Sequence, residues 1–408
     1  MTYRRAWGRF ALIILLALMT CRPGKGQTFS VLHIFEGTDG ASPSSPLLRD
    51  SVGNLYGAAA LGGDLNCNAP YGCGLIFMLD PSGNEIVLYV FSDFSKGLRP
   101  LGALVRDASG NLYGTTSAGG DASCQAGAGC GVVFELDSNG NETVLHTFTG
   151  GADGGIPDGL TRDAEGNFYG TTELGGDLSC NSPNGCGLVF KLDATGNETV
   201  LHAFKGGPDG LFPISGVIRD FAGNLYGTTF EGGAHRHGTV FKVDAAGVNT
   251  ILYNFGLTRQ SGFYPVQGLV GDAQGNLYGS TPYGNAYGSG FVFRLNARTG
   301  QEAPVYSFGA AGELDAASPR ATLIRDVEGN LYGTTLLGGA NADGTVFVIT
   351  VDGAETILHE FGETDGIGPQ TALLRDASGN LYGATPNGGD LGCNPPYGCG
   401  VVFEMSFP

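Results

Sequence analysis

The pentapeptide Gly-Asn-[Leu/Phe]-Tyr-Gly occurs seven times in this chain, starting at Gly53, Gly110, Gly166, Gly223, Gly275, Gly329 and Gly379. A unit that returns every fifty residues or so cannot bury an apolar face by itself, so its copies must stack on one another. Around the pentapeptide each repeat reads Pro-x-x-x-aliphatic-aliphatic-Arg-Asp-x-x-Gly-Asn-Leu-Tyr-Gly-Thr-Thr, with small variations. Gly-Gly, a variable loop, Val-Phe-x-Leu-Asp, a glycine turn and Thr-Val-Leu-His-x-Phe follow.

Short alternating runs separated by Asp-x-x-Gly turns predict four strands per repeat, and nothing in the repeat has helical period. In the second repeat, strand a is expected at Leu104 to Arg106, b at Asn111 to Thr116, c at Val132 to Asp137 and d at Glu142 to Phe148. The repeats occupy about 47–91, 104–148, 160–204, 217–255, 269–308, 323–361 and 373–405, with 28–35 completing the last. Thr28 to Phe35 matches strand d, while the final repeat stops after strand c (Val401 to Met405). An N-terminal strand that supplies the missing one closes a ring and removes open sheet edges. The expected fold is therefore all-β: a seven-bladed β-propeller of four-stranded antiparallel blades, in a single domain.

Composition narrows the partners. A net charge of −18 with pI near 4.6 leaves no basic stripe to neutralise phosphates, which excludes a nucleic-acid partner. Arg4, Arg5 and Arg9 followed by the apolar run Phe10 to Met19 read as a signal peptide over residues 1–26, with Gln27 the first mature residue. The rival is a lipoprotein signal, Leu18-Met-Thr-Cys21, although Thr is a poor match before a lipidated Cys. Export to the periplasm, cell surface or medium is expected, with no transmembrane segment in the mature chain, which is read as a monomer.

Three aromatic sets recur in every repeat and are read as packing between neighbouring blades: the strand b tyrosines, the strand c phenylalanines and the strand d phenylalanines. Arg49, Arg106, Arg162, Arg219, Arg325 and Arg375 occupy one repeat position, with Gly271 as the exception. They are expected either to pair with an acid or carbonyl of the next blade or to form a cationic, anion-binding ring; their place beside turn residues favours the first. His33, His146, His202 and His359 alternate with Tyr89, Tyr253 and Tyr306 on strand d, which marks them as structural rather than catalytic.

Four Cys-x5-Cys pairs, Cys67–Cys73, Cys124–Cys130, Cys180–Cys186 and Cys393–Cys399, fall in b–c loops. Behind a signal peptide they read as local disulfides rather than zinc ligands. These loops are longer: Asn111 to Phe134 spans 23 residues, against 17 from Asn224 to Phe241 in the uncrosslinked fourth repeat. The stapled loops belong to blades 7, 1, 2 and 3, so one face carries a raised rim on one side and a lower arc opposite. That lower arc supplies the candidate ligand-binding residues Glu231, His235, Arg236, His237, Tyr283 and Tyr287, the tyrosines being suited to stacking on sugars. No cofactor, metal or catalytic residue is expected. Asn141 and Asn197 lie in Asn-Glu-Thr sequons within repeat turns.

The motif running from Arg325 to Phe347, Arg-Asp-x-x-Gly-Asn-Leu-Tyr-Gly-Thr-Thr…Gly-Gly…Gly-x-Val-Phe, closely resembles the GloVer tandem repeat of bacterial exported "choice-of-anchor" proteins. The resemblance spans nearly all of the mature chain and implies a surface-associated repeat protein without implying an activity. The chain departs from that pattern by ending at Pro408, directly after strand c, with no sorting tail. The a–b hairpin is more loosely similar to NHL propeller repeats. The reading that follows is a binding or scaffolding module for a glycan or protein partner, acting through the face with the stapled loops. The alternative is a propeller enzyme, either resembling calcium-dependent lactonases or acting as a polysaccharide lyase or hydrolase.

Overall fold

The computed structural model describes residues 26–258, 261–310, 312 and 315–408; residues 1–25 of the expected signal peptide, with Cys21, lie outside them. Seven small antiparallel sheets, each in the order a-b-c-d, make a seven-bladed β-propeller. In blade 2 the strands are Val105–Arg106, Leu112–Ala118, Val132–Leu136 and Glu142–Thr147. The ring is closed by Thr28–Ile34, which pairs antiparallel with Val401–Ser406 and places Phe29 opposite Met405. No helix among the described residues is long and apolar enough to cross a membrane.

The repeat motif is legible as chemistry. Asp50 Oδ1 accepts the backbone N–H groups of Val52, Gly53 and Asn54, while Oδ2 accepts from the Asn54 amide and the Tyr56 hydroxyl. This Asx turn closes the a–b hairpin, and the first pentapeptide glycine (Gly53, φ +103°) supplies the positive φ the turn needs. The tyrosine-to-aspartate bond recurs in every blade at 2.9–3.3 Å. The last pentapeptide glycine has a different reason. A Cβ on Gly114 would lie 2.7 Å from Phe134 Cζ, so the strand c ring occupies the space a side chain would need.

Blades adhere through seven apolar clusters that straddle neighbouring sheets. In each seam the strand d phenylalanine of one blade meets the strand c phenylalanine of the next edge-to-face, as Phe91 meets Phe134 at 5.4 Å and Phe204 meets Phe241 at 5.1 Å. Both members of each such pair are fully buried, and truncating one would cost about 3–5 kcal/mol. Strand d carries a bulge in every blade, between the partners of Val133 and Phe134 in blade 2.

The structure departs from expectation at strand a, which is interrupted. Val105–Arg106 pairs with the start of strand b, whereas Leu98–Pro100 pairs with its far end, Pro100 opposite Thr116. Proline cannot donate to the ladder, and the residues between the two pieces bow inward to line the central channel.

Candidate binding face

The interruption of strand a builds the loop face. The residue before each of these prolines is left-handed: Ser42, Arg99, Ile156, Phe212, Tyr264 and Ser318 have φ between +54° and +59°, and blade 7 uses Gly368. For a β-branched residue such as Ile156 this conformation costs about 1–2 kcal/mol. It is offset by an inter-blade latch. Each of the seven N–H groups donates to a carbonyl in the b–c loop of the preceding blade at 2.7–2.9 Å, as Arg99 to Cys73 and Tyr264 to His237. The proline behind it presses on a glycine after that carbonyl: a Cβ on Gly74 would sit 2.6 Å from Pro100 Cδ. The backbone at this position is thus identical in all blades, while the side chains are serine, arginine, isoleucine, phenylalanine or tyrosine.

On the stapled side, the four disulfides form as expected, each with Cα atoms 5.6 Å apart. Tyr71 and Tyr397 stand exposed at the tips of the blade 1 and blade 7 loops. In blade 4 the position of the second cysteine is taken by His237. Its ring lies 4.6 Å from that of Phe263 and 5.2 Å from that of Tyr264.

The lower arc is aromatic. Phe230 and Tyr264 are 5.1 Å apart, the Phe230 N–H donates to the Phe212 carbonyl, and Tyr264 lies 6.4 Å from Tyr283. The Arg320 guanidinium donates to the Tyr283 hydroxyl at 2.7 Å and lies 5.8 Å from its ring centroid. Of the residues expected here, Tyr283 joins this patch, and His237 forms its floor. Tyr287, His235 and Arg236 are exposed, and Glu231 is half-buried with its backbone bridged to Leu211. His235 and His237 do not converge with a third ligand. Phe212, Phe230, Phe263, Tyr264 and Arg320 went unnoticed in the sequence. Their only signal there is that Phe212 and Tyr264 precede the repeat proline and Arg320 follows it.

Beneath this face the channel encloses about 450 Å³, walled by small and uncharged residues such as Gly102, Ser215, Gln267, Thr322 and Thr371. Asp158 is the one carboxylate among its lining residues, and desolvation pushes its carboxyl up to about 6.

The arginine position resolves differently from expectation. The guanidinium sits not against an acid of the next blade but over the strand b tyrosine of the preceding one. Arg49 covers Tyr382, Arg106 covers Tyr56, Arg162 covers Tyr113, Arg219 covers Tyr169, Arg325 covers Tyr278 and Arg375 covers Tyr332, all at 5.4–5.7 Å. None of the six lines the channel. The reason is geometric: the tyrosine hydroxyl is held by the turn aspartate, so its ring face is presented to the seam.

The family model described as the Gloeobacter/Verrucomicrobia repeat matches residues 17–182 and 178–403. The chain belongs to this family. The two matched segments together span the ring, and each covers several blades. No curated protein matches the sequence. Among solved structures, extracellular domains of putative hybrid two-component systems from B. thetaiotaomicron share the architecture. One is 13% identical with TM-score 0.60, covering 92% of this chain and 39% of that one. A second is 14% identical with TM-score 0.55, covering 93% and 41%. The chain therefore spans about two-fifths of the length of these structures. At such identity they support the fold alone.

Proposed function

We propose that this propeller is an exported binding module that holds a neutral glycan on the aromatic arc of its loop face. One observation carries the reading. At the latch position the backbone is the same in every blade, yet in blades 4 and 5, where no disulfide rim rises, the residues are Phe212 and Tyr264, and the Tyr264 ring packs in a patch with Phe230 and Tyr283. Half-exposed rings flanked by a hydroxyl and a guanidinium suit the apolar faces and equatorial hydroxyls of a sugar. Four disulfides fit an oxidising, extracytoplasmic compartment. Propellers of this fold also serve as extracellular domains of putative two-component systems, in line with ligand capture outside the cell. A lactonase-like centre would need several ligands converging on the channel, whose wall offers the single carboxylate of Asp158.

The test is an array of neutral oligosaccharides probed with the mature chain, followed by calorimetry on any hit. The double variant Phe212→Ser/Tyr264→Ser uses the residue that blades 1 and 6 carry at the same position, so the latch is retained. We expect at least a tenfold loss of affinity. Unchanged affinity in the variant, or no glycan bound at all, would overturn the reading, and the latter would favour a protein partner.

A further inference from the structure

The outer seams between blades repeat one arrangement, and at one seam it gathers three metal-capable groups. The first residue of strand d is Glu85, Glu142, Glu198, Asn249, Glu302 and Glu355 in blades 1 to 6. Where contacts are seen, this residue faces strand d of the preceding blade or the d–a loop beside it, as Glu85 faces His33, Glu198 faces His146 and Asn249 reaches Asp209.

The fold treats this buried acid in distinct ways. Glu142, whose side chain is fully buried, receives an ammonium: Lys96 Nζ lies 3.0 Å from its Oε2. Glu302 faces the Tyr253 hydroxyl at 3.4 Å. In blade 4 the acid is replaced by Asn249, whose amide donates to Asp209 Oδ1 at 2.9 Å, so that seam carries one carboxylate fewer. Glu198 faces His146, but the loop aspartate there, Asp153, turns both oxygens to Thr149, at 2.8 Å to its N–H and 2.6 Å to its hydroxyl.

At Glu85 none of these solutions is used. Its side chain is 10% exposed, and Oε1 has no hydrogen-bond partner. His33 Nε2 lies 3.8 Å from Glu85 Oε2 and 3.2 Å from Asp39 Oδ2, and one ligand atom from each of the three residues lies within 4.8 Å of the others. Asp39 Oδ1 is occupied by the Glu36 N–H, which fixes the carboxylate and leaves Oδ2 aimed at the cluster. Two carboxylates and one imidazole leave a charge that a divalent ion balances, in the place where the next seam supplies Lys96. Donors held by bonds of about 2.0–2.1 Å around a tetrahedral zinc stand roughly 3.4 Å apart, against 3.2 and 3.8 Å for the two distances from His33 Nε2. A nitrogen donor among oxygens favours zinc or a similar first-row ion over calcium.

We propose that His33, Asp39 and Glu85 form a divalent metal site, with Zn²⁺ as its representative ion. His33 lies on the N-terminal strand that completes blade 7 and Glu85 on the outer strand of blade 1, so the ion bridges the seam at which the ring closes. This inference does not depend on the glycan reading, since the site lies on the outer edge of the blades and not on the aromatic arc.

The experiment is a Zn²⁺ titration of the mature chain after exhaustive chelation, followed by calorimetry and by the visible absorption of Co²⁺ bound in its place. We expect one ion per chain and a raised thermal midpoint. His33→Tyr, which installs the residue found at Tyr89, Tyr253 and Tyr306, and the shape-preserving Glu85→Gln should each weaken binding at least tenfold and abolish the Co²⁺ spectrum. His146→Tyr and His235→Ala should leave both unchanged. Melting curves of the metal-free variants verify that each is folded. No ion bound, or binding that survives both His33→Tyr and Glu85→Gln, would overturn the proposal.

Discussion

Gly271 is the one place where the arginine-over-tyrosine seam is missing, and Gly271→Arg should restore it. The tyrosine it would cover, Tyr226, faces a cavity of about 540 Å³ lined also by Asp220, Lys242 and Arg298. The Gly271 φ is not in the left-handed region, and a Cβ there meets nothing closer than Ile218 Cδ1 at 3.6 Å, so an arginine stem can leave the backbone without strain. Lys242 is no obstacle in principle. Its counterpart Lys191 already lies 5.9 Å from the Tyr169 ring while Arg219 lies 5.4 Å from it. A cation over the ring contributes about 0.5–1 kcal/mol, and removing glycine from a strand adds about 0.5–1 kcal/mol. Burying some 60 Å² of stem adds about 1.5 kcal/mol, against about 1.5–2 kcal/mol to order the side chain. The net stabilisation is about 1 kcal/mol, or roughly 2 °C in the thermal midpoint of a chain this size. Urea and thermal unfolding measure it. A second readout is local: burial and Asp220 push the Tyr226 hydroxyl up to about 12, and a guanidinium over it should lower that value in a spectrophotometric titration. A destabilised variant with an unmoved Tyr226 titration would refute the packing role of the ring. Selective stabilisation of the unmodified chain by sulfate would instead favour anion binding.

Other outcomes follow from the seams. Burial without a strong partner pushes Glu198, which faces His146 and Asp153, and Glu355, which faces Tyr306 and Asp315, up to about 7. An acid whose folded value is raised stabilises fully below its unfolded value near 4.5 and loses that stabilisation as pH rises through 7. Unfolding free energy should therefore fall between pH 5 and pH 8, by about 2 kcal/mol for each of the two. Glu198→Gln/Glu355→Gln should flatten that slope, and an unchanged slope would count against these two groups. Gly170→Ala keeps a permitted φ but puts a Cβ 2.7 Å from Phe190 Cζ, so a loss of about 1–3 kcal/mol is expected in denaturant melts.

Most of the architecture was legible because it is repetitive. Blade number, the strands and the closing N-terminal strand all follow from residues that recur at fixed spacing, and a recurring residue is one that packing or a turn demands. Asp50, Gly53, Asn54 and Tyr56 illustrate this: each is explained by one Asx turn that every blade builds. The arginine position was visible for the same reason, but its partner was not. Pairing across a seam depends on which ring face the neighbouring blade presents, and that is a three-dimensional fact.

The proposed binding face was poorly legible for the opposite reason. Its backbone is fixed by the proline and by the latch to the preceding blade, so the side chain at that position carries no structural duty and is free to differ. Ser42, Arg99, Ile156, Phe212, Tyr264 and Ser318 have no one chemistry common to all, and read along one sequence Phe212 and Tyr264 look like ordinary apolar residues before a proline. A position that bears the cost of a left-handed backbone in every blade, yet tolerates almost any side chain, keeps its geometry independent of its chemistry. That independence would let a ring of equivalent positions be varied toward a ligand without disturbing the fold, and it is why the proposed site is sought in the variation within this repeat and not in its constancy.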